Sequence, residues 1–130
     1  MNNSLKLNII TGNNGFVGGN LSNYLKFQNK IIKGVSRKPL DDEVSYQNLT
    51  LEVFNTSKSF IHLAGKAHDL KKTSKDSEYY KVNTELTKKL FDQFLESECE
   101  IFIYISSVKA VADVVDGVLT EDVIPNPKTV

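Results

Sequence analysis

The sequence predicts an α/β fold, a doubly wound parallel sheet of about five strands covered by helices. Three observations predict it. Strand-like runs alternate with segments of helical spacing along the 130 residues. A glycine-rich turn, Gly12-Asn13-Asn14-Gly15-Phe16-Val17-Gly18, joins the first strand-like run to the first helical one. The run Ile101-Phe102-Ile103-Tyr104-Ile105 is apolar throughout, the pattern of a parallel strand buried on both faces.

Each element follows from its local pattern. Leu5 to Ile10 is a β-rich run that stops at Thr11-Gly12. Beyond the turn, Val17, Leu21, Tyr24 and Leu25 fall at i, i+4, i+7 and i+8, one face of a helix. Ile31 to Val35 forms the second strand, closed by Pro39. Val44 to Leu49 is the third candidate strand, and Phe60 to Ala64 the fourth, ended by Gly65. The spacing then predicts a helix over Asp76 to Glu96, started by Asp76 or Ser77 as a cap. Tyr79, Val82, Leu86, Leu90 and Phe94 share its inner face, while Lys81, Glu85, Lys88, Lys89 and Glu96 face water. Ile101 to Ile105 is the fifth strand, and everything after Val108 reads as loop.

Composition narrows the functional classes. Lys plus Arg number 16 and Asp plus Glu 16, so the formal charge is zero and bulk electrostatic attraction to nucleic acid is not expected. Hydrophobic residues at 40% and charged ones at 25% are ordinary for a globular domain. Cys99 is the single cysteine, which excludes an intramolecular disulfide and a cysteine zinc site. It reads as an inert residue near a helix end. His62 and His68 lack a third ligand, so no metal is expected. The apolar stretch from Ile101 to Val108 is too short to cross a bilayer, and the polar N-terminus does not resemble a secretory signal. A cytoplasmic domain with no membrane partner is the expectation.

The glycine turn carries chemistry. Glycines at 12, 15 and 18 let the chain turn tightly, let a diphosphate approach backbone N–H groups at a helix start, and let helix pack closely on strand. The competing reading, an Asn14-Gly15 hairpin, fits poorly because helical rather than period-two spacing follows. The cofactor implied is NAD or NADP. An NAD site commonly has an acidic residue at the end of the second strand, about 20 residues after the glycines. That place holds Ser36-Arg37-Lys38, with Asp41-Asp42 only after Pro39. Arg37 can pair with the 2′-phosphate of NADP, stack on adenine, or lie on a solvated basic loop, and NAD against NADP stays open.

Thr11-Gly12-x-x-Gly15-Phe16-Val17-Gly18 resembles the start of the extended short-chain dehydrogenase/reductase family, the nucleotide-sugar epimerases, dehydratases and reductases. The likeness continues in family order. Phe60 to Gly65 resembles the fourth strand passing beside the cofactor. Tyr79-Tyr80-Lys81-Val82-Asn83-Thr84-Glu85-Leu86-Thr87 resembles its Tyr-x-x-Val-Asn-x-x-Gly-Thr helix, with Leu86 replacing the glycine. Ile103 to Lys109 resembles the fifth strand ending in the catalytic serine, and Thr120 to Pro127 the segment before the catalytic tyrosine. The Ser-Ser-Val-Lys ending and Ala67-His68 look most like bacterial polysaccharide-pathway members acting on UDP-N-acetylhexosamines.

The resemblance implies a Rossmann-like fold with Gly12, Asn14, Gly15, Phe16, Val17, Gly18, Arg37, Asn48, Leu49, Leu63, Ala64 and Gly65 around the dinucleotide. Asn48-Leu49 stands where the family usually has an Asp beside the adenine. Ser107 matches the serine that bridges substrate oxygen and tyrosine, and Asn83 the helix asparagine supporting the active site, although a polar residue there can simply satisfy backbone. Lys109 can reach substrate or diphosphate, or be exposed. The family's Tyr-x-x-x-Lys pair has no counterpart among the five tyrosines. Residues 1–130 are therefore expected to be an incomplete N-terminal cofactor domain, inactive alone, with the C-terminal substrate domain absent and a nucleotide sugar as the parent enzyme's substrate. A stand-alone, non-catalytic dinucleotide-binding or interaction module is the alternative. The apolar Ile101 to Ile105 strand would leave an unblunted sheet edge, so association into a homo-oligomer is expected.

Overall fold

The computed structural model describes residues 7–66 and 76–126. Five short runs pair side by side: β1 (Leu7–Thr11), β2 (Ile32–Ser36), β3 (Val44–Ser45), β4 (Ser57–His62) and β5 (Ile101–Tyr104). Their order is β3-β2-β1-β4-β5, and every neighbouring pair is parallel. Parallel neighbours need crossovers. α1 (Phe16–Phe27) links β1 to β2, and α2 (Leu51–Asn55) links β3 to β4. Between β4 and β5, α3 (Asp76–Tyr79) runs through a π-helical turn (Tyr80–Glu85) into α4 (Leu86–Leu95). The chain builds outward from β1 on one side, then returns to pair β4 on the other. That reversal opens a crevice at the carboxyl ends of β1 and β4, the predicted doubly wound, Rossmann-like arrangement.

The core forms where α2 and α4 cover the sheet. Ile9, Val35 and Phe60 meet Leu49, Phe54, Leu90 and Cys99 there, all buried. Phe60 stacks on Phe54 at 4.7 Å and on Phe102 at 5.5 Å between ring centroids. Cys99, expected as an inert residue near a helix end, is thus also a core residue.

The structure corrects several expectations. The inner face of α1 does not include Val17 and Tyr24, which are 57% and 60% exposed; Gly18 and Ser22 are its buried residues, with Leu21 and Leu25 half-buried. Close packing against the glycine turn selects small side chains over large ones, which rotates the helix away from its apolar stripe. The third strand shrinks to Val44–Ser45, because the Ser45 hydroxyl accepts the Asn48 N–H at 3.2 Å and caps a 3-10 turn over Tyr46–Asn48. β4 starts earlier than its apolar run and ends at His62, leaving Leu63, Ala64 and Gly65 as the segment that departs from it.

The long helix has its expected extent and faces. Leu90 is buried, Tyr79, Val82, Leu86 and Phe94 are half-buried, and the five charged positions are exposed. Its irregularity was not expected: the Leu86 N–H reaches back to the Lys81 carbonyl, inserting one residue into the turn that carries Asn83. Ser77 is exposed, and the Asp76 side chain lies outside the described residues. β5 is not buried on both faces. It is one of the two edge strands among the described residues, opposite β3, with Ile101, Ile103 and Tyr104 all at least 40% exposed. Phe102 turns into the α4 side, against Phe91 and Phe94, and Tyr104 shares that face beside Thr87 and Phe91. From Ser107 to Asn126 the chain is loop, as expected, apart from one 3-10 turn at Val108–Ala110. Among the described residues no helix is long and apolar enough to cross a membrane.

Candidate functional site

The glycine turn sits at the carboxyl end of β1, directly beside the exit from β4. Gly12 has φ of +71°, and a Cβ placed on it would lie 2.8 Å from the Ala64 nitrogen. Only glycine satisfies both that backbone and that approach. The Gly15 N–H donates to the Gly12 carbonyl at 3.0 Å, closing the turn, and the Gly15 carbonyl accepts from the Gly19 N–H at 2.8 Å, opening α1. A Cβ on Gly18 would overlap the Gly12 carbonyl oxygen and come within 2.8 Å of the Asn13 Cα. The three glycines therefore do three jobs: turning the chain, starting the helix and seating the helix on the turn.

The result fits an anionic ligand. α1 begins with no side-chain cap and no acidic residue in its first turn. Its first N–H groups and the positive end of its dipole are left for a partner at the crevice. Asn14, Gly15, Phe16 and Val17 are exposed around this rim, so the approach is open.

A directed hydrogen-bond chain locks the crevice floor. The Thr87 hydroxyl donates its proton to the Asn83 carbonyl at 2.9 Å, so toward His62 it can only accept. His62 therefore carries its proton on Nε2 and donates it to Thr87 Oγ1 at 2.9 Å. Its Nδ1 then accepts from Thr11 Oγ1 at 2.7 Å. The Thr11 oxygen in turn accepts the N–H groups of Leu63 and Ala64 at 3.2 and 3.1 Å. This chain ties β1, β4 and the helix together and aims the Leu63-Ala64 backbone. His62 is fully buried, and burial lowers its pKa to about 4, so it is a neutral structural group.

Asn83 grips the neighbouring loop. Its Oδ1 accepts the Lys66 N–H at 2.7 Å and its Nδ2 donates to the Lys66 carbonyl at 3.0 Å. The side chain lies close enough to Gly65 that a Cβ there would be 3.4 Å from Oδ1. Ser107 lies at the same end of the sheet: the Ile105 N–H still bonds the His62 carbonyl at 3.2 Å, and Ser107 follows two residues on. Its hydroxyl accepts the Lys109 N–H at 3.3 Å, and both residues are exposed.

On the opposite side of the turn lies the end of β2. Arg37 is exposed, and its charge acts on Tyr46, whose phenol is pushed up by burial. Asn48 is exposed in its 3-10 turn, but Leu49 is 4% exposed and belongs to the core, its carbonyl taken by the Gln93 amide at 3.0 Å.

Sequence reasoning missed Thr11, Asn13, Thr87 and Glu43. The Glu43 carboxylate folds back to accept the Ser36 hydroxyl at 2.9 Å, the Leu40 N–H at 3.0 Å and the Asn13 amide of the glycine turn. The Leu40 bond does most to hold its pKa below the ordinary 4.5, with Asn13 and Ser36 adding to it against some burial. No spacing rule links a residue seven positions after Ser36 to that strand end. His68 and Ala67 lie outside the described residues, and among those described no cluster of His, Cys, Asp or Glu could hold a metal.

Comparison with known proteins agrees with this geometry. The model of the NAD dependent epimerase/dehydratase family matches residues 8–129. Among solved structures, MoeE5 in complex with UDP-glucose and NAD superposes with a TM-score of 0.78 at 25% identity, over 94% of this chain and 43% of that one. UDP-N-acetylglucosamine 4-epimerase from Bacillus cereus gives 0.75 at 24% identity, over 95% and 45%. TunA, an NAD dependent NDP-hexosamine 5,6-dehydratase of tunicamycin biosynthesis, shares the fold at a TM-score of 0.76 and 18% identity, over 95% and 44%. The chain thus spans less than half the length of these structures. No curated protein matches it.

Proposed function

The chain belongs to the NAD-dependent epimerase/dehydratase family, and from that premise we propose that its residues form the dinucleotide-binding part of a nucleotide-sugar epimerase or dehydratase. The observation that carries the reading is the uncapped start of α1 behind a turn in which neither Gly12 nor Gly18 has room for a Cβ. When bound, NAD(P) supplies the hydride acceptor for a sugar carbon, and this chain's residues hold and orient it. The backbone at Gly15, Phe16 and Val17 receives the diphosphate. The Leu63-Ala64-Gly65 segment, held by Thr11 and by Asn83, lines the dinucleotide's path. Asn83 acts as a positioning residue. Ser107 offers its hydroxyl to the reacting sugar oxygen of a UDP-hexosamine-like substrate, and Lys109 lies near enough in sequence to meet the substrate's diphosphate. The Tyr-x-x-x-Lys pair that would supply the general base is not among these 130 residues. We therefore propose that they bind cofactor without turning over substrate.

The exposed Ile101, Ile103 and Tyr104 of β5 support association of two copies along that edge. Calorimetric titration with NAD, NADH, NADP and NADPH tests the cofactor reading. Binding is expected for at least one, and Gly15→Val is expected to abolish it while leaving the far-ultraviolet circular dichroism unchanged, since Gly15 has ordinary extended backbone angles. A folded wild-type protein that binds none of the four overturns the reading.

A further inference from the structure

We propose that Glu43, delivered from the loop after β2, is the carboxylate that makes this site prefer NAD over NADP, a proposal that rests on the dinucleotide reading above. In a doubly wound sheet the adenosine ribose lies beyond the end of β2, next to the glycine turn, and an acidic residue at that strand end commonly receives its hydroxyls. Here β2 ends in Ser36, an uncharged residue, followed by the cations Arg37 and Lys38. By sequence alone that end carries two cations, with Asp41 and Asp42 beyond Pro39, and leaves NAD against NADP open.

The tertiary structure brings a carboxylate to it. Glu43 Oε2 accepts the Ser36 hydroxyl at 2.9 Å and the Leu40 N–H at 3.0 Å. Its other oxygen, Oε1, accepts from the Asn13 amide. Asn13 itself is in the glycine turn and lies flat on β2, since a Cβ added to Gly34 would strike its amide group. The carboxylate is therefore fixed at one point where the glycine turn and the β2 end meet. Those three bonds, with the Asn14 amide also acting on it, hold it charged. A carboxylate offers about four lone-pair sites, so an incoming ribose hydroxyl can take the place beside Asn14. Ribose hydroxyls can donate there, whereas a 2′-phosphate brings about two like charges against the carboxylate. Arg37, by contrast, is exposed on its long stem, with no ion pair fixing its position among the described residues.

Equilibrium titration of the 130-residue protein with NADH and NADPH, followed by nicotinamide fluorescence, tests this. NADH is expected to bind at least about tenfold more tightly than NADPH at low salt. Glu43→Gln, which keeps the bonding shape and removes the charge, is expected to shrink that ratio at least about fivefold, mainly by strengthening NADPH. In the unmutated protein, the NADPH disadvantage is expected to narrow as salt rises from about 20 to about 500 mM, as a charge effect must. This readout stands even where the variant fails to fold. NADPH binding as tightly as NADH overturns the assignment of Glu43 while leaving the dinucleotide site intact. So does a preference indifferent to salt, or one unchanged in folded Glu43→Gln. Binding of neither nucleotide by the folded protein overturns both.

Discussion

Lowering the pH from about 7.5 to about 4.5 should remove about 2–3 kcal/mol of stability through His62 alone. The ring is fully buried, with both nitrogens bonded and neither facing an acid, and burial brings its pKa from the ordinary 6.5 to about 4. The unfolded chain therefore takes up the proton first. The contribution is complete above about pH 6.5, declines by up to about 1.4 kcal/mol per pH unit below it, and levels off below about pH 4. Protonation would also turn Nδ1 into a donor facing the Thr11 oxygen, which already accepts the Leu63 and Ala64 N–H groups, so donors would crowd one oxygen while the bond to Thr87 kept its direction.

Urea unfolding at half-unit pH steps from 7.5 to 4.5 measures the effect. The comparison is His62→Gln, which has no titrating ring. The variant is expected to be less stable at pH 7.5 by about 1–3 kcal/mol, because Thr11 and Thr87 lose a partner. Its curve should be flatter between pH 6.5 and 5, a window above the range in which Glu43, with its lowered pKa, contributes. Nitrogen chemical shifts of the assigned His62 ring in the unmutated protein should report the Nε2–H form throughout that window. Parallel curves for the two proteins, or a His62 titrating at or above pH 6.5, would refute the reasoning.

Two other consequences are open to measurement. Asn83→Leu keeps the side-chain volume but leaves the Lys66 N–H and carbonyl without partners; it should destabilise by about 1–3 kcal/mol and speed hydrogen exchange at the Lys66 amide more than at Ile9 or Phe60. If exchange at Lys66 is unchanged, Asn83 does not hold the loop. Sedimentation at high protein concentration should show association of the unmutated chain, and Ile103→Lys, a charge on the β5 edge, should shift it toward monomer. A strict monomer before mutation would count against pairing along that edge.

Much of the fold was legible because it rests on local chemistry. The glycines at 12, 15 and 18 stand together in one short turn, and the helix over residues 76–95 has an apolar face that periodicity reveals. Less local features misled. Val17 and Tyr24 lie on the apolar side of α1 by spacing, yet the packing seam follows Gly18 and Ser22, since closeness to the turn outweighs hydrophobicity there. Leu49, in a segment that reads as the end of a third strand, instead fills the core next to Phe54. Asn83 was visible as a motif residue, whereas its grip on Lys66 depends on a π-helical turn that no residue preference announces.

The sequence by itself determined the strand-helix alternation, the glycine turn and the family, because each is written in residues close together along the chain. Only the tertiary structure decided which distant groups meet. Thr11 and His62 are brought together by the β1–β4 register, and Thr87 joins them because α4 packs on that side of the sheet. Glu43 reaches Asn13 across 30 positions because the loop after β2 turns back over Gly34, where the absence of a side chain leaves room for the asparagine. A carboxylate's role is set by the donors around it, and those donors come from segments that only the closed sheet holds side by side.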